Sequence, residues 1–325
     1  MDPGIKAMLI SIGGVDVDES LLYERLTTPS SGPGAGLTSF FFRSGSNRVR
    51  LGINKSSPLK MVEDGGAIVI LKDGEEIVRG EIESVLQHCP EQVYITVSER
   101  CIFDCKFCPV PKLRGRIKSD EEIIRMVEDA LETGMMKAIS ITSGVAKSPD
   151  DEVERVVRLV KKLKRYGVPI GVSVCPTSNS SKQLKYAGAT EIKYNVETMD
   201  RELFKRVCGD ASLDFILESL RSAVDIFGRN RVFSNFIIGL GESDESVREG
   251  VEYLAGIGVI PILRAISPHP LREGEININR PSADRLLALT KMSREILDKN
   301  GLRADISQTM CLQCTGCDIT PHRDL

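Results

Sequence analysis

The chain has 325 residues, with 43 Lys plus Arg against 46 Asp plus Glu, a formal net charge of −3. That near-balance excludes a protein that grips nucleic acid through a basic surplus. A hydrophobic fraction of 41% beside 27% charged residues describes an ordinary globular chain that can bury a core without covalent staples. The longest apolar run, Ala67–Leu71, is too short to span a membrane. No basic segment precedes the apolar stretch Ala7–Ile12, so no secretory signal is read and the cytoplasm is the expected compartment.

Residues 1–88 read as a small β-rich N-terminal unit. Ser30–Gly36 is a loop or linker by composition. Phe40–Phe42 and Arg48–Ile53 have strand character, and Asp73-Gly74 between Ala67–Leu71 and Glu76–Ile82 is a hairpin signal. From residue 89 to 300 the rhythm becomes strand, loop, helix. Strands are expected at Val93–Val97, Ala138–Thr142, Pro169–Val174, Glu191–Val196, Arg231–Ile238 and Val259–Ile266. Helical patterns lie between and after them: Ile123–Thr133 behind the capping box Ser119–Glu122, Asp151–Tyr166, Leu213–Phe227, Asp244–Gly256 and Ser282–Asn300. Six such repeats imply an α/β fold with a parallel sheet, a partial or complete (βα) barrel of the TIM type. Residues 301–325 form a cysteine-rich C-terminal tail.

Nine cysteines are too few for a disulfide scaffold, and six of them fall in two tight triplets. Clusters of this kind read as metal or redox sites. The first, Cys101-x3-Cys105-x2-Cys108, follows the first barrel strand, on the side where barrel enzymes place their active sites. Three thiolates on a [4Fe–4S] cluster leave one iron open, whereas structural zinc wants four closed ligands.

Cys101–Cys108, with Phe107 before the last cysteine, resembles the radical S-adenosylmethionine (radical SAM) superfamily. The resemblance implies that Cys101, Cys105 and Cys108 hold a catalytic [4Fe–4S] cluster whose open iron chelates S-adenosylmethionine. Reductive cleavage there yields a 5′-deoxyadenosyl radical that takes hydrogen from substrate. The family pattern implies cofactor contacts from Phe107, from Ser143-Gly144 after the second strand, and from Asn195 and Glu197 in Tyr194–Thr198, which is similar to a segment of biotin and lipoyl synthases. Arg206 in Leu203–Cys208 resembles an arginine that approaches the S-adenosylmethionine carboxylate. Gly239 and Gly241 in Phe236–Glu242 match the glycine-containing region after the fifth strand. His269, in the loop after the sixth strand, is a further pocket candidate.

The second triplet, Cys311-x2-Cys314-x2-Cys317, has the spacing of an auxiliary Fe–S cluster, [4Fe–4S] in type, with zinc as its competitor. Its fourth ligand stays open among Cys89, Cys175, Cys208, His322, Ser307 and an exogenous group. The whole layout resembles archaeal biotin synthase-related proteins, one family of which forms a two-component lipoyl synthase. It implies sulfur insertion into an octanoyl chain on a carrier protein or lipoyl domain. A ferredoxin or flavodoxin reductant and a second radical SAM protein are the implied partners. The alternative is the same radical used for rearrangement, methylation or dehydrogenation in cofactor biosynthesis, with the second cluster relaying electrons.

Overall fold

The computed structural model describes residues 1–325. The N-terminal part opens with helix α1 (Pro3–Ile12), which composition did not announce. Asp2 caps its first turn and Gly13, in the left-handed region, ends it. Six strands follow: β1 (Gly14–Val15), β2 (Ser39–Ser44), β3 (Asn47–Ile53), β4 (Leu59–Asp64), β5 (Ala67–Lys72) and β6 (Glu75–Glu83). They pair in the order β1-β3-β2-β6-β5-β4. Asp16 then bridges β1 to β4, its amide donating to Leu59 O and its carbonyl accepting from Met61 N, both 2.8 Å. This closes the sheet into a small barrel. The hairpin at Asp73-Gly74 forms as expected, both residues having positive φ.

Alternation along β2 and β3 decides what each face does. Phe40, Phe42, Val49 and Leu51 fill the small barrel, while Phe41 points outward with Arg48 and Arg50. The barrel core also takes in Ala265, Leu286 and Ile319 from later in the chain. The N-terminal unit therefore finishes its core against the rest of the protein.

The second sheet contains β7 (Gln92–Thr96), β8 (Ala138–Thr142), β9 (Ile170–Ser173), β10 (Glu191–Lys193), β11 (Val232–Ile238) and β12 (Ile260–Ala265), all parallel and neighbouring in sequence order. Helices α2 (Asp120–Glu132), α3 (Pro149–Leu163), α4 (Ser180–Ala187), α5 (Arg201–Val207), α6 (Leu213–Phe227), α7 (Asp244–Gly256) and α8 (Ala283–Lys299) cover its outside. β7 and β12 do not pair, so six strands make a partial barrel where eight would close. Its strands alternate apolar outward and polar inward. Val93, Ile95, Ile139, Ile141, Ile170, Val172 and Ile192 pack under the helices. Tyr94, Thr142, Ser173, Lys193 and Arg264 face a central cavity. A lumen lined this way is built to hold a polar guest rather than to pack dry.

The C-terminal residues enter that lumen. Glu191, fully buried, accepts hydrogen bonds from Thr309 N (2.9 Å), Gln308 N (3.0 Å), Ser307 Oγ (3.2 Å) and Arg231 Nη1 (2.7 Å). Met310 N donates to Ser140 Oγ (2.9 Å), and Gln92 Nε2 donates to Met310 O (3.1 Å). The short helix α9 (Met310–Cys314) follows. Thr315 O then accepts from Lys6 Nζ (2.7 Å), which also donates to both carboxylate oxygens of buried Asp324 (2.8 and 2.7 Å).

Lys6→Met should therefore cost about 3–5 kcal/mol, because Asp324 would be left as an unpaired buried charge. The double variant Lys6→Met/Asp324→Leu should recover most of that loss. Urea denaturation of the three proteins checks this; equal stabilities for the single and double variants would refute it.

Candidate active site

A cavity of about 300 Å³ lies where the small barrel, the open partial barrel and the C-terminal segment meet. Cys105 and Cys108 line it from one triplet; Cys311, Cys314 and Cys317 line it from the other. Phe107, Asn195 and Glu197 also face it. Ser31–Gly34 lie at its edge, so the Ser30–Gly36 segment is a cavity wall and not a linker. Its glycines and proline let the chain pass close to Leu113 and His269, which a Cβ on Gly36 would touch.

The first cysteine loop is held from several sides. Arg272, whose side chain is fully buried, donates to Cys108 O (2.7 Å), Asp104 Oδ1 (2.6 Å) and Glu275 Oε2 (2.7 Å). Ile102 N donates to Val145 O (2.7 Å), and Lys106 N donates to Val207 O (2.7 Å). Burial pushes the Cys108 thiol up to about 12 and raises Cys101 as well, with neighbouring cysteines adding to both. Such thiols need a strongly positive centre to become thiolates, which irons of a cluster supply. The donor set therefore fits the three-cysteine cluster that the spacing implies. No three cysteine, histidine or carboxylate groups converge as a single ion would require. Mononuclear zinc needs thiolates about 3.8 Å apart, from bonds of ~2.3 Å in a tetrahedron, whereas a cluster gives each thiolate its own iron.

Glu197 sits at positive φ (59°), an uncommon backbone state for a non-glycine residue. It faces the cavity and is partly buried. Burial lifts its carboxyl to about 7, against the pull of Lys193 and the hydrogen bond from Asn195. Asn195 Oδ1 in turn accepts from Asn235 N (3.3 Å).

The remaining expected residues lie around the cavity rather than in it. Ser143 Oγ accepts from Ser98 N (3.0 Å) and donates to Glu152 Oε1 (3.1 Å). Gly144 donates to Ser98 O (2.8 Å) and lies so close to Arg100 O that a Cβ would collide. Both fasten the segment leading into Cys101. Gly239, at φ 111°, packs against Asn279 O; Gly241, at φ 112°, has open space around it. Glu242 accepts from Gly239 N (2.8 Å) and Leu240 N (2.9 Å), fixing that turn. The buried face of α5 is Leu203, Phe204 and Val207; Arg206 lies on its exposed side and does not line the cavity. His269 is spent locally, its Nδ1 accepting from Leu271 N (3.1 Å).

Sequence reasoning missed the cations. Arg50, Lys193, Arg264 and Arg280 all line the cavity. Arg264 is paired with Asp318 (2.6 and 3.0 Å). Arg50 and Arg280 have no carboxylate partner: Arg50 meets His88 Nε2 (3.4 Å), and Arg280 donates to the carbonyls of Ser11 (2.8 Å) and Ile10. Asn235 Oδ1 and His88 Nδ1 are buried and unpartnered, and both residues line the cavity.

Residues 95–254 match the model of the Radical SAM superfamily. Those residues, just under half of the chain, thus form a radical SAM domain. A probable GTP 3′,8-cyclase of Saccharolobus solfataricus is 25% identical over 245 residues, covering 70% of this chain and 78% of that protein. Proteins of the same name from Saccharolobus islandicus (29% identical) and Thermococcus kodakarensis (25%) align over 57% and 55% of this chain, and over only 59% and 58% of their own lengths. Among solved structures, the [FeFe]-hydrogenase maturase HydG superposes with a TM-score of 0.56 at 18% identity, over 63% of this chain and 50% of that one. Methylornithine synthase superposes with a TM-score of 0.53 at 18%, over 65% and 69%. These two establish the shared barrel fold. The narrower resemblance to biotin and lipoyl synthases finds no support among the named relatives. The superfamily implies a [4Fe–4S] cluster and S-adenosylmethionine as cofactors. No helix is long and apolar enough to cross a membrane.

Glu197 gives a pH test. Its folded-state pKa is raised, so the folded protein holds a proton that the unfolded chain releases, and stability should fall as pH rises from about 4.5 to 7. Glu197→Gln should remove that loss and be more stable than the parent by about 1–2 kcal/mol at pH 8, with little difference at pH 5. Thermal melts of both proteins across this range decide it.

Proposed function

We propose that the protein is a radical SAM enzyme that rearranges, methylates or dehydrogenates a polar, anionic small molecule of the nucleotide class, with the second cluster relaying electrons. The observation that carries this is the pair of guanidiniums without counter-charge, Arg50 and Arg280, with Lys193 beside them in a cavity that both cysteine triplets line. An anionic group would neutralise them; an octanoyl chain would leave them desolvated and unpaired. The unpartnered Asn235 Oδ1 and His88 Nδ1 ask for a polar ligand in the same way. The relatives named probable GTP 3′,8-cyclase agree with a nucleotide substrate.

When bound, the first cluster and S-adenosylmethionine supply the 5′-deoxyadenosyl radical. Cys101, Cys105 and Cys108 would hold the cluster, and Phe107, Asn195 and Glu197 would frame S-adenosylmethionine from the cavity wall. Ser143, Gly144, Gly239 and Gly241 would shape the site from behind. Arg272 would keep the cysteine loop in place. A ferredoxin or flavodoxin would deliver the electron.

Sulfur insertion is a second reading, favoured by one observation: Cys311, Cys314 and Cys317 face the same cavity as Cys105 and Cys108. A substrate radical formed there could meet the second cluster. The carrier protein of the lipoyl reading has no support of its own.

Anaerobically reconstituted protein given S-adenosylmethionine and dithionite should release 5′-deoxyadenosine, and Cys105→Ala should abolish it. GTP and an octanoyl-lysyl peptide, offered separately, should differ: GTP is consumed, and the peptide gains no sulfur by mass spectrometry. Arg280→Ala should raise KM for the anionic substrate about 10–100-fold while deoxyadenosine release without substrate is unchanged. A peptide that gains sulfur with loss of auxiliary iron would replace this reading with the second one.

A further inference from the structure

We propose that Cys89 is the fourth protein thiolate of the C-terminal cluster, so that Cys89, Cys311, Cys314 and Cys317 form a closed four-cysteine site. Cys89 is 222 positions upstream of Cys311 by their numbers, and nothing in its sequence surroundings marks it. The fold nevertheless packs its side chain with that of Cys314 in one buried cluster. Both pack on Phe41, the one phenylalanine of β2 that points away from the small barrel's core. All four cysteines line one cavity. The meeting is held in register on both sides. Cys89 forms a bridge with Gln92, whose side chain donates to Met310 O, one residue before Cys311. Arg50 N donates to Gly316 O (2.7 Å), one residue before Cys317.

Every competing ligand within the chain is engaged elsewhere. Cys175 neighbours Cys101 and Cys105 of the first triplet, and Cys208 is bonded through its carbonyl to Cys105 Sγ (3.9 Å). His322 accepts from Ala304 N (3.2 Å) and contacts Asp298 (3.0 Å). Ser307 donates to Glu191. The charge balance also suits four thiolates. A [4Fe–4S] core of charge +2 with four thiolates carries a net charge of about −2, and Lys193 Nζ reaches Cys311 Sγ (3.6 Å) with Arg264 lining the same wall.

This site deepens the proposed function and rests on the reading of the C-terminal triplet as an Fe–S centre. With one protein thiolate on each iron, no iron of this cluster is open to substrate. It can pass electrons across the cavity, while substrate anchoring falls to the side chains around it.

The test needs no substrate and no turnover. In the full-length chain, Cys101→Ala/Cys105→Ala/Cys108→Ala removes the first site. Anaerobic reconstitution should then leave about four irons and four sulfides per chain, with an electron paramagnetic resonance signal after dithionite reduction. Adding Cys89→Ala on this background should lower iron at least about twofold, or leave a cluster whose signal shifts on adding cyanide, as the parent's does not. Cys89→Ser should keep a folded protein by circular dichroism with a shifted signal, and Cys175→Ala should change nothing. An unchanged signal and full iron in both Cys89 variants would overturn the proposal. So would a background that takes up one zinc and no iron, or a Cys175→Ala variant that loses the cluster.

Discussion

The buried carboxylate of Glu191 is the constraint on which the rest of the site depends. A charge at the floor of a half-open barrel is tolerable only because backbone amides, hydroxyls and Arg231 converge on it. Apart from Arg231, those partners are the C-terminal segment itself. Satisfying Glu191 thus draws residues 307–309 into the lumen and aims the second cysteine triplet back at the first. The same segment is held again by Lys6 at Thr315 and Asp324, so the small N-terminal barrel and the partial barrel share one plug. Two non-glycine residues with positive φ, Met310 and Thr315, bracket α9 and turn the chain where the cysteines must face inward.

Much of this could be read from the residues. The six parallel strands lie within a residue or two of expectation except the fourth, which stops at Lys193. Leu213–Phe227 and Asp244–Gly256 form helices over just those residues. Local signals carry such elements: caps at Ser119, Ser212 and Ser243, and apolar spacing along each helix. Cys105, Cys108, Asn195 and Glu197 are legible because such short spacings suffice to bring side chains to one cavity.

What stayed hidden is long-range. Arg50, Lys193 and Arg280 are scattered over 230 positions, and no periodicity links them; only the closing of β1 on β4 and the docking of α1 beside α8 bring them to one cavity. Arg272 looks like any loop arginine until its three bonds around Cys108 are seen. The motif around Arg206 says nothing of its helical face, where Leu203, Phe204 and Val207 take the buried side. Ser30–Gly36 has the composition of a spacer, yet the same small residues are what a wall needs where chain segments pass closely.

The plug also imposes an order on biogenesis. Residues 307–317 are synthesised after all six strands of the partial barrel, and domains fold from the N-terminal side as they emerge. The first cysteine loop is complete while the lumen is still empty from below. A three-thiol loop therefore exists before the second set of thiols comes together as the plug seats. The later set closes the floor behind the earlier one, much as a keystone set last locks an arch that was already standing.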